Sequence, residues 1–486
     1  MKQDRPLDGG GEPAPGTGDM PAEEFRRYGH MLVERVARYL EEVERAPVLS
    51  RAQPGDIRAS LPRAAPASGE DMATILADFD ETILPGITHW NHPGFMAYFA
   101  ITGSGPGILG ELLAAGLNAN GMLWRSSPAV TELEEVTLDW LRQLLGLPEP
   151  LFGEITDTAS SSTLYALAAA REFADIDIHR RGVGGQRLRV YCSAEAHSSV
   201  DKAVITLGLG SDGLRHIPVD ERFRMRTDLL EAAIAEDKAA GIRPLAVVAT
   251  VGTTGTTSID PVAEIADICE REGMWLHVDA SYAGVAAIVP EKRYVLAGVE
   301  RAHSLVVNPH KWLFVPIDCS VLYTREPAAL KAAFALPLEI LYAPEPGVTN
   351  LMDYGMSLGR RFRSLKLWFV LRYFGADGIV ARLREHMRLA QIVARWADES
   401  DAFELCAPVE LSTVVFRYKP PGLAPPEVDA ANAKLLRLVN ESGDVFLSGT
   451  KVNGTQVLRL AIGNLRTTER HVLRAMELLE QTAKGL

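Results

Sequence analysis

Four short segments of this 486-residue chain carry side chains whose types and settings could do chemistry together. The first is Ser304-Leu-Val-Val-Asn308-Pro309-His310-Lys311-Trp312, an apolar strand pattern that ends in a Pro turn presenting a lysine. Among apolar neighbours an ammonium loses hydration and its pKa falls, which supplies the neutral amine that forms a Schiff base with an aldehyde. A lone lysine at a strand end more often snorkels to solvent. The second segment, Trp275-Leu-His277-Val-Asp279-Ala-Ser281-Tyr-Ala-Gly284, closes a nearly all-apolar strand with a carboxylate. A buried Asp requires a partner: a protonated pyridine nitrogen is one, and the start of a following helix is the common alternative.

The third segment, Asp157-Thr158-Ala159-Ser160-Ser161-Ser162-Thr163-Leu164, opens a helical pattern with small hydroxyl residues. Free backbone N–H groups and the helix dipole make an anion site there, although such a cluster alone is usually an N-cap. The fourth, Ser193-Ala-Glu195-Ala-His197-Ser198-Ser199-Val200, sets an imidazole after an apolar strand, where it can stack on a flat ring, exchange protons, or simply serve structure. All four groups fall at carboxyl ends of predicted parallel strands or at the helix start beside them, where α/β sheets gather ligands. An aldehyde-binding lysine, a pyridinium partner, a phosphate cradle and a stacking imidazole together describe pyridoxal phosphate.

The elements that must position these groups follow from periodicity. Between about residues 86 and 325 short apolar runs alternate with helical patterns, which predicts α/β layers on a largely parallel sheet. Strands are expected at 188–192, 245–251, 275–278, 304–307 and 320–323, and helices at 164–173, 228–239 and 261–272. Upstream, residues 1–20 read as a flexible tail, and amphipathic helices at 21–44 and 72–84 leave apolar faces in search of a partner surface. Residues 337–356 read as a long functional loop, and a helix at 365–396 with strands at 413–418 and 457–462 predicts a smaller α+β domain.

Composition excludes other classes. A hydrophobic share of 47% with 23% charged residues describes a chain that buries a sizeable core, not a disordered one. The net charge of −13 repels phosphate backbones and anionic membrane surfaces, so neither nucleic acid nor membrane is an expected partner. Cys192, Cys269, Cys319 and Cys406 are widely spaced without a CxxC pair, which fits a reduced cytoplasmic setting better than a disulfide framework or a thiolate metal site. No basic and apolar leader opens the sequence, and no apolar run approaches the roughly 18 residues that would span a bilayer. His89 and His92 lack neighbouring ligands, so no metal is expected. Gly208-Leu-Gly210-Ser-Asp-Gly213 precedes a strand instead of opening a helix, against a dinucleotide site. Ser199-Val-Asp-Lys202 matches the S-x-x-K nucleophile of penicillin-recognising hydrolases, a remote alternative without its companion motifs.

The segments resemble, in order, those of the pyridoxal-phosphate-dependent decarboxylases that include the aromatic L-amino-acid, histidine and glutamate enzymes. The resemblance runs from about Pro21 and is carried by Asn308-Pro-His-Lys-Trp312, His277-Val-Asp-Ala-Ser-Tyr-Ala-Gly284, Ala196-His-Ser-Ser199 and Ser357-Leu-Gly-Arg-Arg-Phe-Arg-Ser-Leu-Lys366. His92-Pro-Gly-Phe-Met-Ala-Tyr-Phe99 and Ser127-Pro-Ala-Val-Thr-Glu-Leu-Glu134 make it most similar to the aromatic branch. It implies an α/β, aspartate-aminotransferase-like (type I) fold, built as a homodimer whose N-terminal helices embrace the partner and whose active site lies at the interface. The implied division is a tail at 1–20, a helical dimerisation segment at 21–85, a large cofactor domain at 86–364 and a small domain at 365–486.

By position, the resemblance makes Lys311 the lysine that holds the cofactor, Asp279 the partner of its ring nitrogen and His197 the residue stacked on the ring. It places Thr158, Ala159, Ser160, Asn308 and His310 around the phosphate, with Thr254 and Ser281 close to the ring. Trp90, Tyr98 and Phe99 match aromatic residues of the family's side-chain cleft, and Gly359 matches a glycine common among members acting on bulky rings. Two positions depart from the family: Ile101 stands where relatives often carry a hydroxyl, and Ile340 occupies the place of a loop tyrosine that protonates the product carbanion, with Tyr342 two residues on. The implied activity is decarboxylation of an aromatic amino acid, with aldehyde synthase chemistry as the alternative that Ile340 raises and a non-catalytic dimeric homologue as a remote one.

Overall fold

The computed structural model describes residues 18–99, 101–176, 178–336 and 345–486; Ile340 and Tyr342 lie outside them. The chain divides into a unit ending at His89 and a unit running from Trp90 to Leu486. In the first, α1 (Ala22–Glu42) is followed by α2 (Asp56–Ser60) and α3 (Met72–Asp78). Asp71 caps α3 by accepting from the N–H groups of Ala73 and Thr74 at 3.0 and 3.1 Å. The expected helix 72–84 ends early as an α-helix, because the backbone widens into a π turn at Phe79–Ile83. The apolar stripe of α1 stays bare: Phe25, Met31, Leu32, Val33 and Val36 are exposed beside a groove of about 840 Å³ within this unit.

The second unit opens with α4 (Gly105–Leu117) and α5 (Pro128–Leu145). The sheet that follows is β1 (Phe152–Thr156), β2 (Leu188–Ser193), β3 (Leu214–Ile217), β4 (Arg243–Thr250), β5 (Trp275–Asp279), β6 (Ser304–Val307) and β7 (Ser320–Thr324), in the spatial order β1-β7-β6-β5-β4-β2-β3. The helices between are α6 (Ala159–Phe173), α7 (Ile178–Arg181), α8 (Ser199–Thr206), α9 (Thr227–Ala239), α10 (Val262–Glu272) and the single turn α11 (Pro309–Trp312). Strands β3, β2, β4, β5 and β6 run parallel, and β7 is antiparallel to both β6 and β1. All five strands expected from apolar runs are present, shifted by at most two residues at either end.

Burial on both faces explains those runs. Val247, Val278 and Val306 are wholly buried, each stabilising the fold by roughly 1.5–3 kcal/mol relative to exposure. Register decides what the strand ends present: Thr250 pairs with Asp279, and Asp279 pairs with Val306, so β4, β5 and β6 finish level with one another. Two antiparallel steps through β7 return β1 to the direction of β6, so Thr156 and the start of α6 reach the same edge.

After α12 (Pro327–Phe334), α13 (Arg363–Asp398) is interrupted at Gly375, whose φ of 62° only glycine adopts without strain. Leu367, Val370 and Leu371 of its first part pack with the large sheet, while Leu389, Val393 and Ala397 pack with the second sheet. That sheet, β8 (Phe403–Leu405), β9 (Thr413–Tyr418), β10 (Ser448–Val452) and β11 (Thr455–Ala461), is antiparallel in the order β10-β11-β9-β8, with α14 (Pro425–Glu441) and α15 (Glu469–Ala483) against it. Among the described residues no helix is long and apolar enough to cross a membrane.

Candidate active site

Lys311 sits on the turn α11, directly beyond the buried strand β6, with Pro309 pre-setting the turn. Its ammonium donates to Ser281 Oγ at 2.9 Å and lies 5.5 Å from the centre of the Phe99 ring. Burial lowers the Lys311 pKa; Asp279 opposes that shift and Arg459 adds to it. Asp279 closes β5 and is buried, and its Oδ1 accepts from the N–H of Ser281 at 3.0 Å. Ser281 therefore joins the two charges, its backbone held by the carboxylate and its hydroxyl by the ammonium. The carboxylate does not cap an α-helix, because the chain beyond it enters the 3-10 segment Ala283–Ile288.

His197 follows β2 with its ring partly open to solvent. Its Nδ1 accepts from the Ser199 N–H at 3.1 Å and lies 2.9 Å from Ser199 Oγ, which leaves the proton of the neutral ring on Nε2. Partial burial lowers its pKa, Asp279 pulls it up and Lys311 pushes it down, so His197 feels both charged residues of the strand edge. Ser199 is thus already engaged with an imidazole and buried, while Lys202 is exposed, an arrangement unlike a hydrolase Ser–Lys pair.

At the opposite end of the same edge, Thr158 precedes α6 without capping it by its side chain, and the helix starts at Ala159 and Ser160. A buried hydroxyl chain lies behind: Thr156 Oγ1 to Ser162 Oγ at 2.7 Å, Ser162 to Ser320 at 3.2 Å, and Ser320 donating to Asn308 Oδ1 at 2.6 Å. His310 lies beside its end, with Nδ1 accepting the Cys319 N–H at 2.9 Å and Nε2 held 3.4 Å from Asn308 Nδ2. Burial first, then the neighbouring Lys311, brings the His310 pKa down to about 4, so the ring is neutral with its proton on Nε2. Uncapped helix N–H groups, serine hydroxyls and a fixed imidazole N–H are donors for a phosphate. These residues fit pyridoxal phosphate: a reactive amine, a facing carboxylate and an anion cradle open at one strand edge.

Thr254 lies exposed on the turn after β4, and a Cβ added at Gly255 beside it would come within 3.2 Å of Glu195 Oε2, so this turn adjoins the loop of His197. The aromatic residues divide. Phe99 stacks on Tyr282 at 3.7 Å between centroids, and Tyr282 on Trp312 at 5.0 Å, which backs the lysine turn with three layered rings. Trp90 and Tyr98 stack on each other at 5.8 Å and cluster with Phe95 and Phe446. Tyr98 carries a φ of 51°, a conformation that turns successive side chains to different neighbours. Ile101 is half-buried two residues beyond Phe99.

None of these groups lines the cleft at Gly359. Gly359 lines this cleft of about 450 Å³ with Asn120, Glu111, Arg361 and the small residues Ala114 and Ala115 of α4, whose Leu109, Leu112, Leu113 and Leu117 are exposed. Sequence reasoning missed Arg459, the one charged residue in the buried run of β11. Its guanidinium lies 4.4 Å from the Phe99 ring centre and donates to the Tyr98 carbonyl, while Nε and Nη2 are buried without a partner. Burial pushes its pKa down to about 10. A buried arginine with two unanswered donors is set to receive an anion.

The model of the "Pyridoxal-dependent decarboxylase conserved domain" family matches residues 54–419. An aromatic-L-amino-acid decarboxylase of Bos taurus is 39% identical over 96% of this chain and 97% of its own. A phenylacetaldehyde synthase of Arabidopsis thaliana is 38% identical over 96% and 97%. The crystal structure of Catharanthus roseus tryptophan decarboxylase in complex with L-tryptophan superposes with a TM-score of 0.90 at 37% identity, covering 96% of this chain and 99% of that one. With the type I fold and a site suited to its cofactor on the same strand edge, the chain belongs to the pyridoxal-dependent decarboxylase family, a carboxy-lyase for amino acids that works with pyridoxal phosphate.

Proposed function

We propose that this chain decarboxylates an aromatic L-amino acid, of the tryptophan, tyrosine, DOPA or phenylalanine type, to the arylethylamine and carbon dioxide. The observation that carries the reading is the Lys311–Ser281–Asp279 bridge beneath the Phe99 ring, with Arg459 against the same ring. Pyridoxal phosphate supplies, when bound, an aldehyde for the substrate amine and a ring that draws off the electron pair left by carbon dioxide. Lys311 holds that aldehyde between turnovers and Asp279 keeps the proton on the ring nitrogen. His197 covers the ring face, Thr254 and Ser281 line its edge, and Thr158, Ala159, Ser160, Asn308 and His310 hold the phosphate.

Arg459 faces the substrate carboxylate with its two unanswered donors, while Trp90, Tyr98, Phe99, Ile101 and Gly359 form the wall for the aromatic side chain. A proton returns to the α-carbon from Tyr342, His197 or water. Arg459→Gln removes a charge-assisted pair worth roughly 1.5–3 kcal/mol, so kcat/KM falls about 10- to 150-fold. Steady-state kinetics on the best substrate check this, and an unchanged kcat/KM assigns the carboxylate to another group.

A second copy of the chain completes the site: Gly359 opens on a cleft that Lys311 does not line, and the exposed leucines of α4 and the bare stripe of α1 are apolar surface that a homodimer buries. The division 21–85, 86–364 and 365–486 and a cytoplasmic setting belong to the same reading. Aldehyde synthesis is the alternative, favoured by Ile340 at the loop position and by aldehyde synthases among the similar proteins. It converts substrate, oxygen and water into aldehyde, carbon dioxide, ammonia and hydrogen peroxide, whereas plain decarboxylation yields only amine and carbon dioxide. Assaying all five products across tryptophan, 5-hydroxytryptophan, tyrosine, DOPA, phenylalanine, histidine and glutamate decides. Amine equal to carbon dioxide is expected; aldehyde with equimolar peroxide replaces the reading with the alternative, and equal turnover of glutamate overturns the aromatic pocket.

A further inference from the structure

The run Gly359–Arg363 carries three arginines, each tied to a different element. Arg361 pairs with Glu111 of α4, and Arg363 binds both oxygens of Asp318, beyond the lysine turn, at 2.9 and 3.2 Å. Arg360 goes inward. Its Nη2 donates to Glu134 Oε1 of α5 at 2.6 Å and to the carbonyl of Ile155 at 3.1 Å, and its Nη1 to Glu154 Oε2 of β1 at 3.2 Å. Glu134 also accepts the N–H of Ile155 at 2.8 Å. The Arg360 backbone is pinned too: its N–H donates to Asn120 Oδ1 and its carbonyl accepts from Gly121, both at 2.9 Å.

Glu134 and Glu154 are 2% and 0% exposed, so two carboxyls share one guanidinium in the interior, and Glu154 Oε1 and Arg360 Nε have no partner. Such an arrangement costs stability relative to an apolar core, which points to a use for its geometry. β1, which it grips, ends at Thr156, three residues before α6 begins, and Arg360 is the immediate neighbour of Gly359.

We propose that Arg360 is a positioning residue for substrate selection: clamped between Glu134 and Glu154, it fixes Gly359 relative to the strand that leads into the phosphate cradle. This rests on the aromatic decarboxylase reading and extends it to a pair of carboxyls outside the pocket wall. The groups facing Glu154 are Arg360, Glu134 of α5, Tyr165 of α6 and Tyr354 of the turn at Leu351–Tyr354, and its partner on β7 is the apolar Leu322. Burial raises the Glu154 pKa to about 8, opposed by Arg360 and reinforced less strongly by Glu134. Below that pH the Glu154 carboxyl is neutral; above it a carboxylate forms in the interior, where the desolvation cost outweighs the attraction of Arg360 and destabilises the clamp. The contribution is present at low pH and is lost as the pH rises through about 8.

The test uses the holoenzyme between pH 6.5 and 9.5, reading KM and kcat for its best amino acid, and calorimetric affinity for tryptamine and phenethylamine. Arg360→Lys, which keeps the charge but not the fork, raises KM and weakens amine binding by about tenfold with kcat within about threefold. Wild-type KM climbs above pH 8, and the Glu154→Gln curve stays flat. Unchanged KM and amine affinity in Arg360→Lys, or an alkaline rise that persists in Glu154→Gln, overturns the clamp. If Arg360→Lys does not fold, the Glu154→Gln comparison decides alone. All arms are read with whichever amino acid the wild type uses, so failure of the aromatic reading and failure of the clamp are separate results.

Discussion

Lys311→Ala loses both the visible absorbance of the lysine-bound cofactor and turnover, the latter by about a thousandfold or more. The loss is large because no other amine stands in the same place: the Lys311 amine donates to Ser281 above the end of β5, and burial lowers its pKa, which favours the free base that takes up an aldehyde. The protein itself should still fold. Lys311 contributes one hydrogen bond at the mouth of the site, whereas the surrounding stack of Phe99, Tyr282 and Trp312 is built from side chains that the substitution leaves in place. Absorbance spectra with and without borohydride, and initial rates on the best substrate, check the expectation. Retained colour and retained rate in the variant would place the reactive amine elsewhere.

Asp279→Asn has the second largest effect. The amide keeps the volume at the end of β5 and leaves an oxygen for the Ser281 N–H, so the site is not emptied; what disappears is the negative charge proposed to face the ring nitrogen. Without it no carboxylate at the end of β5 would hold a proton on the ring nitrogen, and the cofactor's pull on electrons would weaken. Turnover is expected to fall by about two orders of magnitude or more, and the affinity for cofactor by about tenfold, on the scale of a lost buried charge pair. Titrating apoenzyme with pyridoxal phosphate while following turnover measures both. An Asp279→Asn enzyme with wild-type rate and affinity would mean that the carboxylate serves only the turn at Ser281.

These two residues were legible in the sequence for a plain physical reason. A strand buried on both faces reads as an unbroken apolar run, so a lysine or aspartate at its end stands out, and β5 and β6 are such strands. The start of α6 was legible from its hydroxyl cluster. β1 was not, because Phe152-Gly-Glu-Ile-Thr carries a glycine and a glutamate where an apolar run would be sought. Glu154 is tolerated there only through Arg360, which lies 206 residues away. Arg459 escaped for the same reason: it approaches Phe99 from the second sheet, and nothing local in β11 announces its partner. α4 was hidden by a composition apolar but for Glu111, its exposed leucines being surface that a second copy is proposed to cover. The resemblance supplied the roles of His197, Thr254 and Gly359, which type and spacing alone left open.

Reduction of the holoenzyme with borohydride, followed by proteolysis and mass mapping of the peptide that carries the pyridoxyl group, tests the central claim most directly. The account predicts a single adduct on Lys311. Its rival is Lys366, which is fully buried but already paired with Glu111 at 2.8 Å. An adduct on Lys366 or on any other lysine, or none at all on a coloured and active enzyme, contradicts it.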